Sequence, residues 1–512
     1  MSLPDLALGI DVGTGTTKAV LADPSGKILW QASSSYQYTS PQPQWAEQDP
    51  ADWWNALCTC TRTLFQNHPD AARRIAAVAV SGQGVGAVAI DQRGSVLRPA
   101  ILWLDTRSAP DAADLQNQHG DQIVRISGKL PASYNFEPKL RWIQQNEPEV
   151  WARVWKFFTT TAFTTYRLTR VPVMNHSDAG ILLAYDLTGR RWSQDLLTLL
   201  NLPERVYCGL ADCTEIIGKV TPEASGETGI PAGVPVVAGG EDTSSAGLAM
   251  GVFSPETGQL SMGTASTINV PTARSTVHPQ LLAFPHVLPD INLIGGSMSS
   301  GGLSIQWLHK ILNEQPTSDH SEILSNAARL APGADGLIFL PYLAGELQPI
   351  NDGFARGVFF GLTAEMGRAH LLRAVLEGLA FAIQHNLSIA HTVGARPHRL
   401  LAVGGPTRNT LLCQIIADVA GIPVHVMDES GGAALGSALL AAAGSGIAPL
   451  HETQAAHART RASYAPEHSR WEAYRGAFSL YLNLYPQLKS LFARTASAAG
   501  ELSVRSTDVH VH

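Results

Sequence analysis

Leu6-Ala7-Leu8-Gly9-Ile10-Asp11-Val12-Gly13-Thr14-Gly15-Thr16-Thr17-Lys18-Ala19-Val20-Leu21 opens the chain and decides its fold. An apolar run ends in an acid, a glycine-threonine loop follows, and a second apolar run begins beyond Lys18. The pattern is strand, tight loop, strand, and Lys27-Ile28-Leu29-Trp30 adds a third strand after the turn Asp23-Pro24-Ser25-Gly26. A Walker A loop would lead into a helix and place glycine before the lysine, where Thr17 stands. A dinucleotide fingerprint would need a third glycine. What remains is a loop of backbone N–H groups and hydroxyls with one cation at its end. It reads either as an ordinary hairpin turn or as a cradle for phosphate oxygens. Asp11 closes an apolar strand, where a carboxylate is costly to bury without a compensating charge. A Mg²⁺ ion beside a polyphosphate would compensate it; a capping or turn aspartate is the other reading.

Outward from this stretch, residues 75–80 and 85–90 read as buried strands, and 138–151 and 155–168 as helices. Val234-Pro235-Val236-Val237-Ala238 is a strand running into Gly239-Gly240-Glu241-Asp242-Thr243. Paired acids after two glycines suit a site that accepts a proton from a hydroxyl, although either acid could instead cap a helix beginning at Thr243. A second unit begins near residue 245, where the strand and turn of residues 258–267 echo the opening loop. Helices are expected over 370–391, 409–420 and 433–443, the last alanine-rich and suited to close backbone contact. The strand 400–403 runs into Gly404-Gly405, whose glycines fit either backbone crowding or nucleotide contact. After residue 492 the chain is a polar tail.

At 512 residues the chain exceeds what one core supports, about 250–300 residues. Apolar residues make up 45% and charged residues 15%, so wholesale disorder is excluded. A net charge of −7 without a basic run argues against nucleic-acid and anionic-membrane partners. Five scattered cysteines read as free thiols of a reducing compartment, since no second pair stands at ligand spacing. Neither a signal peptide nor an apolar run of about 18 residues is present, so a cytoplasmic protein is expected.

The order of the motifs carries more than any one of them. IDVGTGTTK (10–18), WAEQDPADWW (45–54), SGQGVGAVAID (81–91), RPAILWLDTR (98–107) and EPKLRWIQQNEPEVW (137–151) are followed by VVAGGEDTSSAG (236–247) and LSMGTAST (260–267). GGLSIQWL (301–308), FLPYLAGELQPINDGFARGVFFGLT (339–363), GGPTRN (404–409) and GGAALGSALLA (431–441) complete the series. Over residues 6–445 the chain resembles the FGGY carbohydrate kinases, and 45–54, 98–107 and 137–151 resemble the branch acting on xylulose.

The resemblance implies an α/β protein of two actin-like, ribonuclease-H-like domains hinged around a catalytic cleft: 1–245 on the sugar and phosphate-loop side, 246–492 on the nucleotide side, and a polar tail 493–512. It implies ATP and Mg²⁺ as cofactors, a small-molecule sugar as partner, and leaves a homodimer open. By motif position Asp242 is the catalytic base and Asp11 the residue organising Mg²⁺. Thr14, Gly15, Thr16 and Lys18 form the phosphate loop, and Thr264, Gly302, Gln306, Gly405 and Asn409 contact the nucleotide. Gly84, Val85, Trp103, Asp105, Tyr134, Asp242 and Thr243 line the sugar site. Four positions depart from the pattern. Gly84 and Val85 replace a Met-His pair that contacts the sugar, Leu104 replaces asparagine, and Leu347 replaces arginine. The loss at 84–85 predicts a roomier site that still accepts D-xylulose but with relaxed preference. The resemblance implies ATP-dependent phosphorylation of a primary sugar hydroxyl, xylulose giving xylulose 5-phosphate, with L-xylulose, ribulose, a pentitol, gluconate or glycerol as other acceptors and a non-kinase actin-like ATPase as the remaining alternative.

Overall fold

Strand β1 (Leu6–Val12) is buried on both faces, and its alternation of large and small residues sets what packs on each. The computed structural model describes residues 4–273, 276–312, 321–428, 431–449 and 459–507. Leu6, Leu8, Ile10 and Val12 join one core with Trp53, Leu57 and Leu64 of helix α1 (Pro50–Asn67). Ala7 lies in a second core with Ala434, Ala438 and Leu439 of the helix Gly432–Ser445. Between them Gly9 has no room for a side chain: a Cβ there would lie 2.0 Å from the Ala434 carbonyl oxygen. Gly436 on the same helix would likewise place a Cβ 1.9 Å from the Ser245 carbonyl oxygen. The alanine-rich helix thus meets backbone directly, as its composition led us to expect.

The first sheet grows from this strand. β2 (Thr16–Ala22) and β3 (Ile28–Ser35) continue it antiparallel, while β4 (Ile75–Gly82) pairs with β1 in parallel. With β5 (Ile216–Lys219) and β6 (Pro235–Glu241) the order is β5-β6-β4-β1-β2-β3. In the second sheet β7 (Thr257–Met262) and β8 (Ser266–Thr272) form the hairpin, flanked by β9 (Asn292–Met298). β10 (Arg399–Val403) and β11 (Val424–Met427) extend it in parallel from β7, and β12 (Thr460–Tyr464) closes one edge antiparallel, so that six of the sheet's seven strands run β9-β8-β7-β10-β11-β12. In both sheets the first hairpin strand borders two parallel strands, so the echo between the two glycine-threonine turns is one of topology. This duplicated α/β architecture is the one the resemblance implies.

By packing the chain forms two units: Met1–Ser254, Pro271–Leu293 and Glu429–Arg459 in one, and Pro255–Val270, Ile294–Asp428 and Thr460–His512 in the other. The boundary expected at residue 245 falls inside the helix Asp242–Met250. After Asp428 the chain returns to the first unit, where the small-residue face of β1 receives the alanine-rich helix. The expected tail boundary at 493 lies within the helix His468–Thr507, and residues 508–512 lie outside the described residues.

Three local expectations are corrected. Residues 138–151 are not one helix: α2 (Phe136–Asn146) stops at Glu147, which precedes a proline and sits at φ −132°. Residues 155–168 begin with a strand, Lys156–Phe158, paired to Val88–Ile90. The helix α3 (Thr160–Thr169) starts only after Thr159, whose side chain accepts from the Ala162 N–H. The strand expected from Val85 begins at Val88, because Val85 has φ +51°.

Gly9→Ala is expected to lower unfolding stability by about 1–3 kcal/mol, the cost of overpacking. Gly226→Ala, within the helix Pro222–Thr228 and with open space around the added carbon, should instead gain about 0.5–1 kcal/mol. Urea titration of both variants checks the opposite signs.

Candidate active site

Three parallel strands of the first sheet end side by side, and the carboxyl ends of such strands are where open α/β sheets bind ligands. Asp11 near the end of β1 pairs in register with Ser81 of β4, whose hydroxyl donates to Asp11 Oδ1 at 2.9 Å. On the other side of β4, β6 ends at Glu241 and runs into α4 (Asp242–Met250). Gly239 makes this end possible: it sits at φ +76°, and a Cβ would lie 2.0 Å from the Val80 carbonyl oxygen. The two acids then divide. Glu241 is the N-cap, its carboxylate accepting from the Ser244 N–H at 2.8 Å, and Asp242 takes the first helical position. The turn is held from behind, where Ser177 Oγ accepts from the Glu241 N–H at 2.9 Å and Asn175 Nδ2 donates to the Ala238 carbonyl at 3.2 Å.

The opening loop is a tight turn in which the Gly13 N–H donates to the Thr16 carbonyl at 3.1 Å. Among the described residues the N–H groups of Thr14 and Gly15 find no protein acceptor. Thr16 Oγ1 shares a 3.4 Å contact with Ser35 Oγ, and Lys18 lies opposite Asp11 on β2. Two glutamines that the motif reading did not single out join this loop to the next. Gln48 Nε2 donates to the Thr14 carbonyl at 2.6 Å, and Gln83 Nε2 donates to Gln48 Oε1 at 3.0 Å. Both stand inside the quoted motifs, Gln48 between two acids in WAEQDP and Gln83 between two glycines in SGQG. Trp103, partly exposed, donates its indole N–H to Thr14 Oγ1 at 3.0 Å.

Gly84 and Val85 follow Gln83. The space beside Gly84 is not vacant: Ile181 Cδ1 lies 2.7 Å from where a Cβ would stand. The expected roomier wall is therefore corrected at this position to a filled, apolar one, and Ile181 is a neighbour no sequence pattern announced. Val85 is a β-branched residue in the left-handed region, a strain of about 1–3 kcal/mol. Its carbonyl and that of Tyr134 both accept from Lys139 Nζ. Asp105 has no exposed surface, and both of its oxygens hold protein donors, from the Ala46 N–H and from Arg107. A sugar hydroxyl reaches Asp105 only by exchanging with one of these. Arg107 in turn lies over the Trp45 ring at 3.6 Å and pairs with Glu47 at 2.7 Å. Thr243 Oγ1 donates to Asp242 Oδ1 at 3.1 Å.

In the second unit Thr264, Gly302 and the turn at Gly405, three of the positions expected to contact nucleotide, meet beside the turn after β7. The Gly263 and Thr264 carbonyls accept from the N–H groups of Gly302 and Leu303 at 2.7 and 3.1 Å, seating the start of α5 (Gly302–Ile311) on the hairpin. A Cβ on Gly302 would lie 3.0 Å from Pro406 Cγ, so the Gly405 turn adjoins the same spot. Gln306, one helical turn beyond Gly302, is exposed, as is Gly405. Asn409 caps the helix Thr410–Ala420, its Oδ1 accepting from the Leu412 N–H at 3.1 Å.

Electrostatically the first site is overloaded with negative charge. Loss of water pushes the Asp11 carboxyl up to about 7, and the nearby Asp242 charge adds to the shift. Asp242 keeps some solvent contact, yet the protein packed around it and the neighbouring Glu241 hold its pKa well above the usual range. Asp178, fully buried, is raised to about 7 by desolvation, with Thr159 donating to one oxygen and Oδ1 lacking a donor among the described residues. No cluster of three metal-ligating side chains occurs among the described residues. Two mutually repelling carboxylates beside a loop of open N–H groups fit Mg²⁺, which is held through one or two carboxylates together with substrate phosphates.

Comparison with known proteins shows the family. The N-terminal domain of the FGGY family of carbohydrate kinases matches residues 6–249, and its C-terminal domain matches residues 258–445. The chain belongs to the FGGY family and is a carbohydrate kinase. It is similar to a xylulose kinase of Staphylococcus epidermidis, 30% identical over 96% of this chain and 98% of the relative. It is also similar to a gluconokinase of Bacillus subtilis, 26% identical over 96% and 97%. Among solved structures, the xylulose kinase of Rhodospirillum rubrum superposes with a TM-score of 0.90 at 31% identity, over 95% of this chain and all of that one. No helix among the described residues is long and apolar enough to cross a membrane.

Asp178 gives a test of the buried charge. Its folded pKa lies above its unfolded value, so the folded state holds the extra proton and stability falls as pH rises between about 4 and 7. Asp178→Asn removes that penalty. The melting temperature of the variant minus that of wild type should grow from pH 5 to pH 8; a difference independent of pH would contradict the placement.

Proposed function

We propose that the chain transfers the γ-phosphoryl group of ATP to a primary hydroxyl of a ketopentose, converting xylulose to xylulose 5-phosphate. The observation that carries this reading is the division between adjacent acids. Glu241 is committed to capping α4, which leaves Asp242 available for chemistry, with burial first and the Glu241 charge second holding its carboxyl well above the usual carboxylate range. In this reading Asp242 accepts the hydroxyl proton as the oxygen–phosphorus bond forms and the bond to the β-phosphate oxygen breaks. Thr243 orients the carboxylate through its hydrogen bond to Oδ1.

Phosphoryl transfer depends on alignment and charge compensation more than on covalent participation. The backbone of Thr14, Gly15 and Thr16 and the Lys18 ammonium would bind phosphate oxygens. Thr264, Gly302, Gln306, Gly405 and Asn409 would hold the nucleotide. Asp11 would hold Mg²⁺, which when bound supplies positive charge to the phosphates. Gly84, Val85, Trp103 and Tyr134 would face the sugar, with Asp105 behind them setting Arg107 and the Ala46 backbone. A second reading, gluconate as acceptor, is favoured by the similarity to a gluconokinase.

Asp242→Asn should lower turnover by about 10²–10⁴-fold with nucleotide affinity nearly unchanged. Glu241→Ala should chiefly cost about 1 kcal/mol of stability through the lost cap. Coupled ADP-release assays beside thermal melts separate the two; near-normal turnover in Asp242→Asn would transfer the base to another group.

The acceptor is tested with D-xylulose, L-xylulose, the ribuloses, xylitol, gluconate and glycerol. The highest kcat/KM is expected for D-xylulose, and a higher value for gluconate would establish the second reading. Gly84→Met alone should depress kcat/KM for every acceptor, because the new side chain meets Ile181. Adding Ile181→Ala should restore it at least in part.

A further inference from the structure

Lys139 lies in α2 with no exposed surface. A buried ammonium is costly unless hydrogen-bonded acceptors replace the water it loses. Here the acceptors are two backbone carbonyls from separate segments, Val85 at 2.7 Å and Tyr134 at 2.8 Å. Burial pushes the lysine down to about 7, while the Asp105 and Glu137 carboxylates favour its charged form and Arg107 opposes it.

The choice of acceptors is informative. Val85 is the strained residue of the loop, at φ +51°, and such a conformation persists only where surrounding contacts enforce it. A hydrogen bond to the carbonyl of the strained residue fixes the peptide plane that follows it. Tyr134 is tied by the same nitrogen, so one side chain sets the spacing between two segments distant in sequence. A lysine needed only to fill the core would have no reason to select these carbonyls, and methionine would fill the same volume without desolvating a charge.

We propose that Lys139 is a positioning residue for the sugar, clamping the Val85 and Tyr134 carbonyls so that the pocket wall keeps one shape. This rests on the reading that Gly84, Val85 and Tyr134 face the acceptor. The clamp holds a backbone geometry, so it serves any acceptor that contacts this wall.

The test is a double-mutant cycle. Lys139→Met removes the donors and keeps the length; KM for the preferred sugar should rise about tenfold while KM for ATP stays within about twofold. Val85→Gly supplies a residue that adopts positive φ without strain, so the clamp is no longer required. In that background Lys139→Met should raise the sugar KM by less than about threefold. Equal losses in the two backgrounds, or a change in KM for ATP with none for sugar, overturn the proposal. If Lys139→Met does not fold, Lys139→Gln carries the same cycle. Wild type that phosphorylates no sugar removes the functional reading and this inference together. Wild type that phosphorylates a sugar but shows no coupling between positions 85 and 139 removes this inference alone.

Discussion

Asp11 and Asp242 repel each other across the end of one intervening strand, and much of the first unit is explained by the need to hold them there. Ser81, on that intervening strand, gives Asp11 one hydrogen bond. Gly239 lets β6 press against Val80 so that the acidic turn arrives at the right level. Glu241 absorbs the helix N-terminus, and Ser177 and Asn175 pin the turn from behind. Burial, and after it the neighbouring carboxylate charges, push both acids above the usual carboxylate range. Clustered perturbed carboxylates are a mark of functional sites.

The same backbone solution occurs twice. In each sheet a hairpin of small and hydroxyl residues leaves the first strand, and parallel strands flank it on the other side. What differs is the use made of the turn. In the first unit it leaves N–H groups open beside acids. In the second, its carbonyls receive the start of a helix, and Gly302 and Gly404 leave out side chains for which there is no room beside it. Polarity and crowding, more than topology, distinguish the two sites.

Most of the frame could be read from residues 6–21 and from the spacing of glycine-rich strand ends, because hydrophobic alternation and turn chemistry act locally. The helices at 368–392 and 410–420 and the backbone-hugging helix at 432–445 were legible for the same reason. The strand at 156–158 was not, since three residues carry too little periodicity to separate strand from helix. Which of Glu241 and Asp242 caps the helix was undecided by sequence and is settled by one hydrogen bond. Ile181 and Lys139 were invisible as site residues because their roles depend on contacts with Gly84 and Val85, far away along the chain.

Asp242 is the proposed base, and Glu241 tunes it by charge and by a side-chain hydrogen bond without taking the proton itself. The most direct measurement is the single-turnover rate of phosphoryl transfer as a function of pH, in wild type and in Glu241→Gln. The rate should rise with pH as Asp242 loses its proton. Removing the Glu241 charge removes a repulsion that holds the Asp242 pKa up, so the rising limb should move to lower pH with the plateau retained. A limb that stays in place, or a plateau that collapses, would contradict the account.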